Sequence, residues 1–139
     1  NNGFMGYNTS TSWTTVDDLA TVPFTHERYD NSGSYDTSNY RHYPKESGTY
    51  FYHASVYSSN SATHSSFGFL LEGTEDSNIT GAHHQTWGMS GQFDVARDEM
   101  LYMAQIIYVA VGENVRVCSM GGTHDFYPGH SFWSGMRIR

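Results

Sequence analysis

The chain alternates between short runs of aromatic and β-branched residues and clusters of turn-forming residues. Three runs predict strands, at residues 49–57, 66–71 and 129–139. Clusters of Gly, Ser, Asn, Asp and Pro separate such runs, most clearly at residues 30–33, 44–48, 58–61, 73–76, 112–114 and 120–122. Many short strands with frequent polar turns are typical of a sandwich or barrel. The pattern therefore predicts an all-β domain.

Residues 95–111 favour two different structures. Their first part contains good helix formers, whereas residues 105–111 are rich in β-branched side chains and apolar at every alternating position. Because β-branched residues lose χ1 freedom in a helix, we predict a strand. Apolar residues on both faces indicate a central strand covered on both sides. In an antiparallel sandwich the second cover would be another subunit.

The composition supports the same fold class. With 139 residues the chain predicts a single domain, residues 1–139. Only 15% of the residues are charged and 16% are aromatic, whereas globular domains average about 25% charged residues. The aromatic content argues against disorder, because disordered chains lack the apolar surface needed for a core. Aromatic and β-branched residues fit a pleated sheet, which argues strongly against a helical bundle as well.

Charge excludes two classes of partner. The formal net charge is −7 and Lys45 is the only lysine, so the sequence has no basic surface for nucleic acid or anionic lipid. No apolar run approaches the roughly 20 residues of a membrane helix. We therefore expect neither nucleic acid nor a membrane as partner.

Several features favour a secreted, extracellular glycoprotein. The chain begins at Asn1 rather than Met, as a processed chain does, and Asn8 and Asn78 begin glycosylation sequons. Glycine never recurs at every third position, so we expect no collagen stem. Cys118 is the single cysteine and cannot form an internal disulfide. It is either a small buried residue or the partner in an intermolecular disulfide.

Signatures of catalysis are missing from the sequence. It contains no Gly-x-Ser-x-Gly, no phosphate-binding loop and no His-Glu-x-x-His, so we predict that the protein is not an enzyme. Of its eight histidines, His124 and His130 lie with Asp125 in one loop. They form the best candidate for a transition-metal site, although a solvated polar loop is the default interpretation.

The spacing of aromatic and glycine residues resembles the globular head of complement component C1q, in the C1q/tumour-necrosis-factor superfamily. The matching positions, which span about residues 22–138, are Phe24, Asp30, Tyr35, Gly48, Tyr50, Tyr52, the Gly112–Val115 turn and Phe132, Ser134 and Gly135 near the C-terminus. The chain departs from the family pattern at two positions, because His42 and Ala54 stand where the family has aromatic residues.

The resemblance implies a fold and an assembly. It implies a ten-stranded antiparallel jelly-roll sandwich that forms a trimer. Tyr102, Ile106 and Tyr108 would then pack around the three-fold axis, unless they belong to the core of a monomer. Calcium is the one cofactor that the resemblance suggests. The acidic residues within 72–76 and 94–99 are candidate ligands, but solvated turns are the favoured explanation of both segments.

A carbohydrate site is the favoured functional hypothesis. Asp125 could accept hydrogen bonds from sugar hydroxyls, His124 and His130 could donate or accept, and Tyr127 could stack on the apolar face of a sugar. Trp87 is a second stacking candidate, unless it and Tyr127 only cover core edges. We therefore predict a lectin of innate recognition that binds glycans with N-acetylated sugars such as GlcNAc or GalNAc. The alternative is a trimeric protein-binding module, either a cytokine-like ligand or an extracellular matrix component.

Overall fold

Two antiparallel β-sheets form the fold. The computed structural model describes residues 3–59, 64–73, 83–92 and 99–139, with the backbone alone at residues 64, 65, 83–92 and 99. The described strands are β1 Gly3–Tyr7, β2 Thr14–Val16, β3 His26–Asp30, β4 Tyr35–Asp36, β5 Arg41–His42, β6 Gly48–Ser58, β7 His64–Glu72, β8 His83–Gln92, β9 Glu99–Val109, β10 Asn114–Ser119, β11 His124–Phe126 and β12 Phe132–Arg137. A 3-10 turn at Pro128–His130 precedes β12.

The strand order gives the layout of both sheets. The first sheet runs β2-β11-β6-β12-β1-β3, with β9 also paired to β6, and the second runs β4-β5-β10-β7-β8. Adjacent strands are antiparallel throughout. The predicted antiparallel jelly-roll sandwich is confirmed. The described residues form twelve strands rather than the ten expected, and four of the twelve (β2, β4, β5 and β11) are segments of only two or three residues.

The aromatic residues that resemble the C1q pattern lie in the core between the sheets. Phe24 is fully buried and Tyr35 nearly so. The Tyr35 hydroxyl donates to the Phe24 carbonyl at 2.6 Å and accepts from Trp133 Nε1 at 3.3 Å. The Asp30 carboxylate accepts from the Tyr35 backbone N–H at 2.7 Å. The spacing of these residues therefore reflects a core in which each buried polar atom of the rings has a partner.

His42 and Ala54, the two departures from the family pattern, are both buried core residues. The His42 ring stacks on Phe4 at 4.7 Å, and its Nδ1 lies 2.8 Å from the Tyr52 hydroxyl. Burial lowers the pKa of His42 to about 4, so the ring is neutral at pH 7 and packs as an aromatic residue does. Ala54 pairs with Trp133 across β6 and β12, where its small side chain leaves room for the indole.

The segment predicted to be a strand rather than a helix forms β9. This strand pairs with β6 along its whole length, from Glu99 opposite Ser58 to Val109 opposite Gly48. Among the described strands β6 is its only hydrogen-bonded neighbour, so the prediction of a central strand is wrong and β9 is an edge strand. Its residues alternate between the core and the outer surface, and the buried set is Leu101, Met103, Ile107 and Val109.

Strand β10 is buried on both of its faces, which explains Cys118. All six of its residues are buried, and Cys118 is fully so. Burial raises the pKa of the Cys118 thiol to about 11. An intermolecular disulfide would require β10 to leave the sheet, so the structure supports the interpretation of Cys118 as a small buried residue.

Candidate functional site

An exposed group of aromatic rings lies where β2, β6 and β11 meet, and we call it the aromatic cluster. It consists of Trp13, Tyr57, Tyr127 and His130. The Trp13 ring stacks on Tyr57 with centroids 5.8 Å apart and meets Tyr127 edge-on at 5.4 Å. The His130 ring stacks on Tyr57 at 5.4 Å and meets Tyr127 edge-on at 4.8 Å. Trp13 is 41% exposed, so its ring offers an open apolar surface.

Hydrogen bonds of the backbone and of the Ser131 hydroxyl hold this cluster in place. The Tyr127 N–H donates to the Tyr57 carbonyl at 2.8 Å. The Ser131 hydroxyl accepts from the Tyr57 N–H at 2.9 Å and donates to the Tyr127 carbonyl at 2.9 Å. The Gly129 N–H donates to the Ser10 carbonyl, which would lie 2.9 Å from a Cβ at Gly129. These contacts preorganise the rings, which lowers the entropy cost of binding a ligand.

Asp125 points to the same side of the sheet as the cluster. Its strand neighbours, His124 and Phe126, are both buried, so alternation turns Asp125 outward. The backbone is still extended at Tyr127, two residues further on, which places both side chains on one face. The Asp125 Oδ1 accepts from the Thr15 hydroxyl at 2.7 Å. Within the described part of the chain Oδ2 has no hydrogen-bond partner, so it can accept from a ligand.

His124 lies apart from this surface. It is 7% exposed, its Nε2 lies 2.8 Å from the Met120 carbonyl, and its ring packs against Phe67 at 5.7 Å. The structure therefore joins only Asp125, Tyr127 and His130 of the residues that the sequence suggested for sugar binding. His124 instead supports the loop from the core side.

Trp87 and the two sequons complete the list of predicted sites. Trp87 pairs with Phe69 in the second sheet, so its backbone lies on the opposite layer from the cluster, and its side chain is outside the described set. Asn78 lies outside the described residues as well. The Asn8 Nδ2 donates to the Pro23 carbonyl at 2.6 Å, and its Oδ1 accepts from the Ser10 N–H at 2.9 Å. Glycosylation of Asn8 and Asn78 stays a prediction.

A second exposed surface lies on the same sheet, and we call it the apolar face. Its members on β9 are Tyr102, Ile106 and Tyr108, which are 58%, 60% and 62% exposed. Phe51 pairs with Ile106 on one side and with Met136 on the other, and both Phe51 and Met136 are exposed. Exposed apolar side chains of this size in one patch are typical of interaction surfaces.

The described residues give no support to a metal centre. They contain no group of three or more His, Cys, Asp or Glu side chains that could hold an ion. The predicted trio of His124, Asp125 and His130 does not converge. Glu72, the first acidic residue of one calcium candidate, is buried and pairs with Arg116 and, at 3.5 Å, with Arg41. The other carboxylates of the two calcium candidates lie outside the described side chains.

Trp13 and Tyr57 were missed by sequence reasoning. They lie 44 positions apart in the sequence and meet only because β2, β11 and β6 lie side by side. One signal pointed to Trp13, because a single large aromatic residue stands within a run of Thr and Ser at residues 9–15. A large ring in such a polar segment has no core position to fill and is a candidate for ligand contact.

No helix in the described part of the chain has the length and apolarity to cross a membrane.

Neither a family model nor a curated protein matches the sequence. Solved structures do match. An Eiger TNF from S. frugiperda aligns with a TM-score of 0.76 and 11% identity over 99% of this chain and 92% of that one. The globular domain of zebrafish complement 1qA gives 0.73 and 10% over 100% and 98%.

A third solved structure, murine APRIL, aligns with a TM-score of 0.68 and 11% identity over 99% of this chain and 100% of that one. At 10–11% sequence identity, the similarity to these structures shows a shared fold and nothing more. The chain has the jelly-roll fold of C1q and TNF proteins, which confirms the fold that the aromatic and glycine spacing predicted.

Proposed function

We propose that this protein is an extracellular recognition module that assembles as a trimer through the apolar face and binds N-acetylated sugars at the aromatic cluster. The observation that favours this function most is the cluster itself. It combines four preorganised rings with the outward carboxylate of Asp125 on one surface. No catalytic step is assigned to it.

The chemistry of the cluster suits a sugar. A hexose has one apolar C–H face, which would stack on the exposed Trp13 ring in place of water. Its hydroxyl groups would donate to Oδ2 of Asp125, a charge-assisted hydrogen bond that is stronger than a neutral one. The ring nitrogens of His130, which have no hydrogen-bond partner in the described residues, would contact the acetamido group. The sugar would thus be held by stacking and by at least one charged acceptor.

Assembly would make a weak site useful. A single sugar gives little contact area, whereas three linked sites raise the avidity by about 100-fold or more without new contacts. The apolar face provides the surface for assembly, since three of its members are more than half exposed. A trimer would bury these side chains and leave the cluster of each copy to face a multivalent glycan.

A glycan array that includes GlcNAc and GalNAc tests the proposal. We expect binding by the native protein, and a loss of about tenfold or more for Trp13→Ala, because aromatic hot spots commonly cost about 2 kcal/mol on truncation. Tyr29→Ala is the matched control, since Tyr29 is equally exposed but lies on β3, outside the cluster. Equal binding by the two variants, or no binding by the native protein at high concentration, would contradict the proposal.

The alternative, a protein-binding module, has one observation in its favour. A groove of about 790 Å3 lies beside β3 and β4, and its lining includes Glu27, Tyr43 and Lys45. Mixed charges with an aromatic side chain fit the polar contacts of a protein interface. This alternative predicts specific capture of a protein partner that free sugars do not inhibit, and loss of that capture in Glu27→Lys.

A further inference from the structure

A cavity of about 280 Å3 lies next to the aromatic cluster, and His130 is one of its lining residues. Its walls include Met5, Tyr7, Arg28, His130 and Phe132. Tyr7 and Phe132 are directly opposite each other across β1 and β12, so both side chains lie on the same face of the sheet, where they line the cavity. Of the four side chains of the aromatic cluster, only His130 lines this cavity.

A β-bulge turns Arg28 toward this cavity. Met5 on β1 pairs with Tyr29, but the next residue, Gly6, pairs with Glu27, so Arg28 is the extra residue of β3. Consecutive residues of a regular strand point to opposite faces, whereas here Arg28 and Tyr29 line two cavities on the same face. Bulges commonly redirect one side chain in this way.

The charge of Arg28 has no partner among the residues that the structure describes. Its guanidinium makes no hydrogen bond or ion pair to any residue that the structure describes. None of the described residues that line the cavity is acidic. A guanidinium beside two aromatic side chains suits a ligand that carries a carboxylate on a ring. The planar guanidinium can bind both carboxylate oxygens at once, and the aromatic side chains can contact the ring.

We propose that this cavity binds a small organic anion whose carboxylate is carried on a six-membered ring. Arg28 would pair with the carboxylate, Tyr7 and Phe132 would contact the ring, and the Tyr7 hydroxyl would donate to a ring substituent. The cavity lies just below the range of about 300–1,000 Å3 that is typical of drug-sized ligands, so a single ring fits. Two sources share this chemistry, an acidic sugar and an aromatic acid. The proposal does not depend on sugar binding at the aromatic cluster.

Calorimetric titration with five probes tests the proposal. Glucuronate and benzoate carry the anion on a ring, glucose and benzyl alcohol are their neutral counterparts, and acetate is the anion without a ring. We expect at least one ring carboxylate to bind about tenfold or more tightly than both its neutral counterpart and acetate, since a charged hydrogen-bonded pair is worth about that factor. Tighter binding of glucuronate identifies an acidic sugar, and tighter binding of benzoate an aromatic acid.

Matched variants locate the binding. Arg28→Gln should lower the affinity of the ring carboxylate about tenfold and leave that of its neutral counterpart unchanged. Lys45→Gln, which removes a cation that lines the other groove, should change neither affinity. Arg28 is exposed, so both variants should keep the native circular dichroism and melting temperature.

Three results would overturn the proposal. They are equal affinities for each of the two ring carboxylates and its neutral counterpart, binding of acetate as tight as that of both ring carboxylates, and equal losses in Arg28→Gln and Lys45→Gln. A failure of the sugar proposal is distinguishable, because Trp13→Ala removes the proposed stacking ring of the aromatic cluster but leaves Arg28, Tyr7 and Phe132 in place. Binding of ring carboxylates by Trp13→Ala would support the proposed cavity site independently of the sugar site.

Discussion

The aromatic cluster and the apolar face lie on the same sheet but are built in different ways. In the cluster the rings contact one another, and hydrogen bonds of the Ser131 hydroxyl and of the Gly129 backbone N–H fix their positions. On the apolar face the side chains project from the regular strands β6 and β9. A loop-built cluster with a carboxylate fits one small polar ligand, whereas a regular apolar strand surface fits a second copy of the same chain.

The variant with the largest expected effect places a charge on the apolar face. Ile106→Asp should abolish assembly, because burying an unpaired carboxylate in each copy costs several kcal/mol. Light scattering should show a fall from three times the chain mass of 15.7 kDa to one. The sugar affinity of a single site should not change.

Leu19→Asp is the control for this charge. Leu19 is exposed in the segment between β2 and β3, away from β9, so this variant should remain a trimer. A native protein that is monomeric at micromolar concentration would remove the distinction between the two surfaces.

Acid should affect both surfaces together, because both depend on the core beneath them. The pKa of His42 is about 4 in the folded protein, lowered by burial from 6.5. The unfolded chain therefore takes up a proton at a higher pH than the folded one. Stability is fully present above about pH 6.5, is lost as the pH falls toward about 4, and decreases by about 3 kcal/mol over that range.

Urea unfolding at pH 7, 5.5 and 4 measures this loss. The variant His42→Phe keeps a buried ring but cannot be protonated, so its unfolding free energy should depend less steeply on pH. Its absolute stability at pH 7 should be lower, since it leaves the Tyr52 hydroxyl without its partner at 2.8 Å. Identical slopes for variant and native protein would contradict the assignment to His42.

Removing the carboxylate at position 125 should weaken sugar binding at the aromatic cluster without affecting assembly through the apolar face. Asp125→Ala should weaken sugar binding about tenfold, because a hydrogen bond to a charged group is worth about 1.5–3 kcal/mol. The trimer should stay intact in gel filtration. Asp17→Ala, which removes an exposed carboxylate outside the cluster, should bind sugar as the native protein does. A parallel loss of binding and assembly would show that the surfaces are not independent.

The smallest expected effect concerns Cys118. Because its thiol is fully buried, electrophoresis without reductant should give the same single-chain band as electrophoresis with reductant. A band at twice the mass would mean that β10 is accessible in solution.

Much of the fold could be predicted from the sequence, because alternation and glycine spacing are local properties. The strand at residues 105–111 was identified from β-branching alone, but its place at the sheet edge depends on pairing with β6, which is more than 40 residues away. The same limit applies to Trp13 and Tyr57. Their contact depends on which strands are neighbours, and no local pattern records this.

The candidate site contains one side chain whose position follows from the alternation of its strand. Asp125, Tyr127 and His130 were identified from their residue types. His124 was included for the same reason, yet Phe126 two residues later is apolar, and residues two apart in a strand share a face. That parity already indicates that His124 points into the core, where the structure places it. The same rule does not predict the direction of Arg28, because the β-bulge in β3 interrupts the regular alternation of side chains.

The burial of β10 on both faces has a consequence for how the molecule opens. Amide protons exchange with solvent only when their hydrogen bonds break, and those of the most enclosed strand exchange through the rarest openings. The amides of Asn114–Ser119 should therefore be the slowest to exchange deuterium, with those of β7 beside them. Edge strand β9 should exchange sooner in an isolated copy. Deuterium uptake would then slow in β9 when three copies assemble, while the rate in β10 would report on global unfolding.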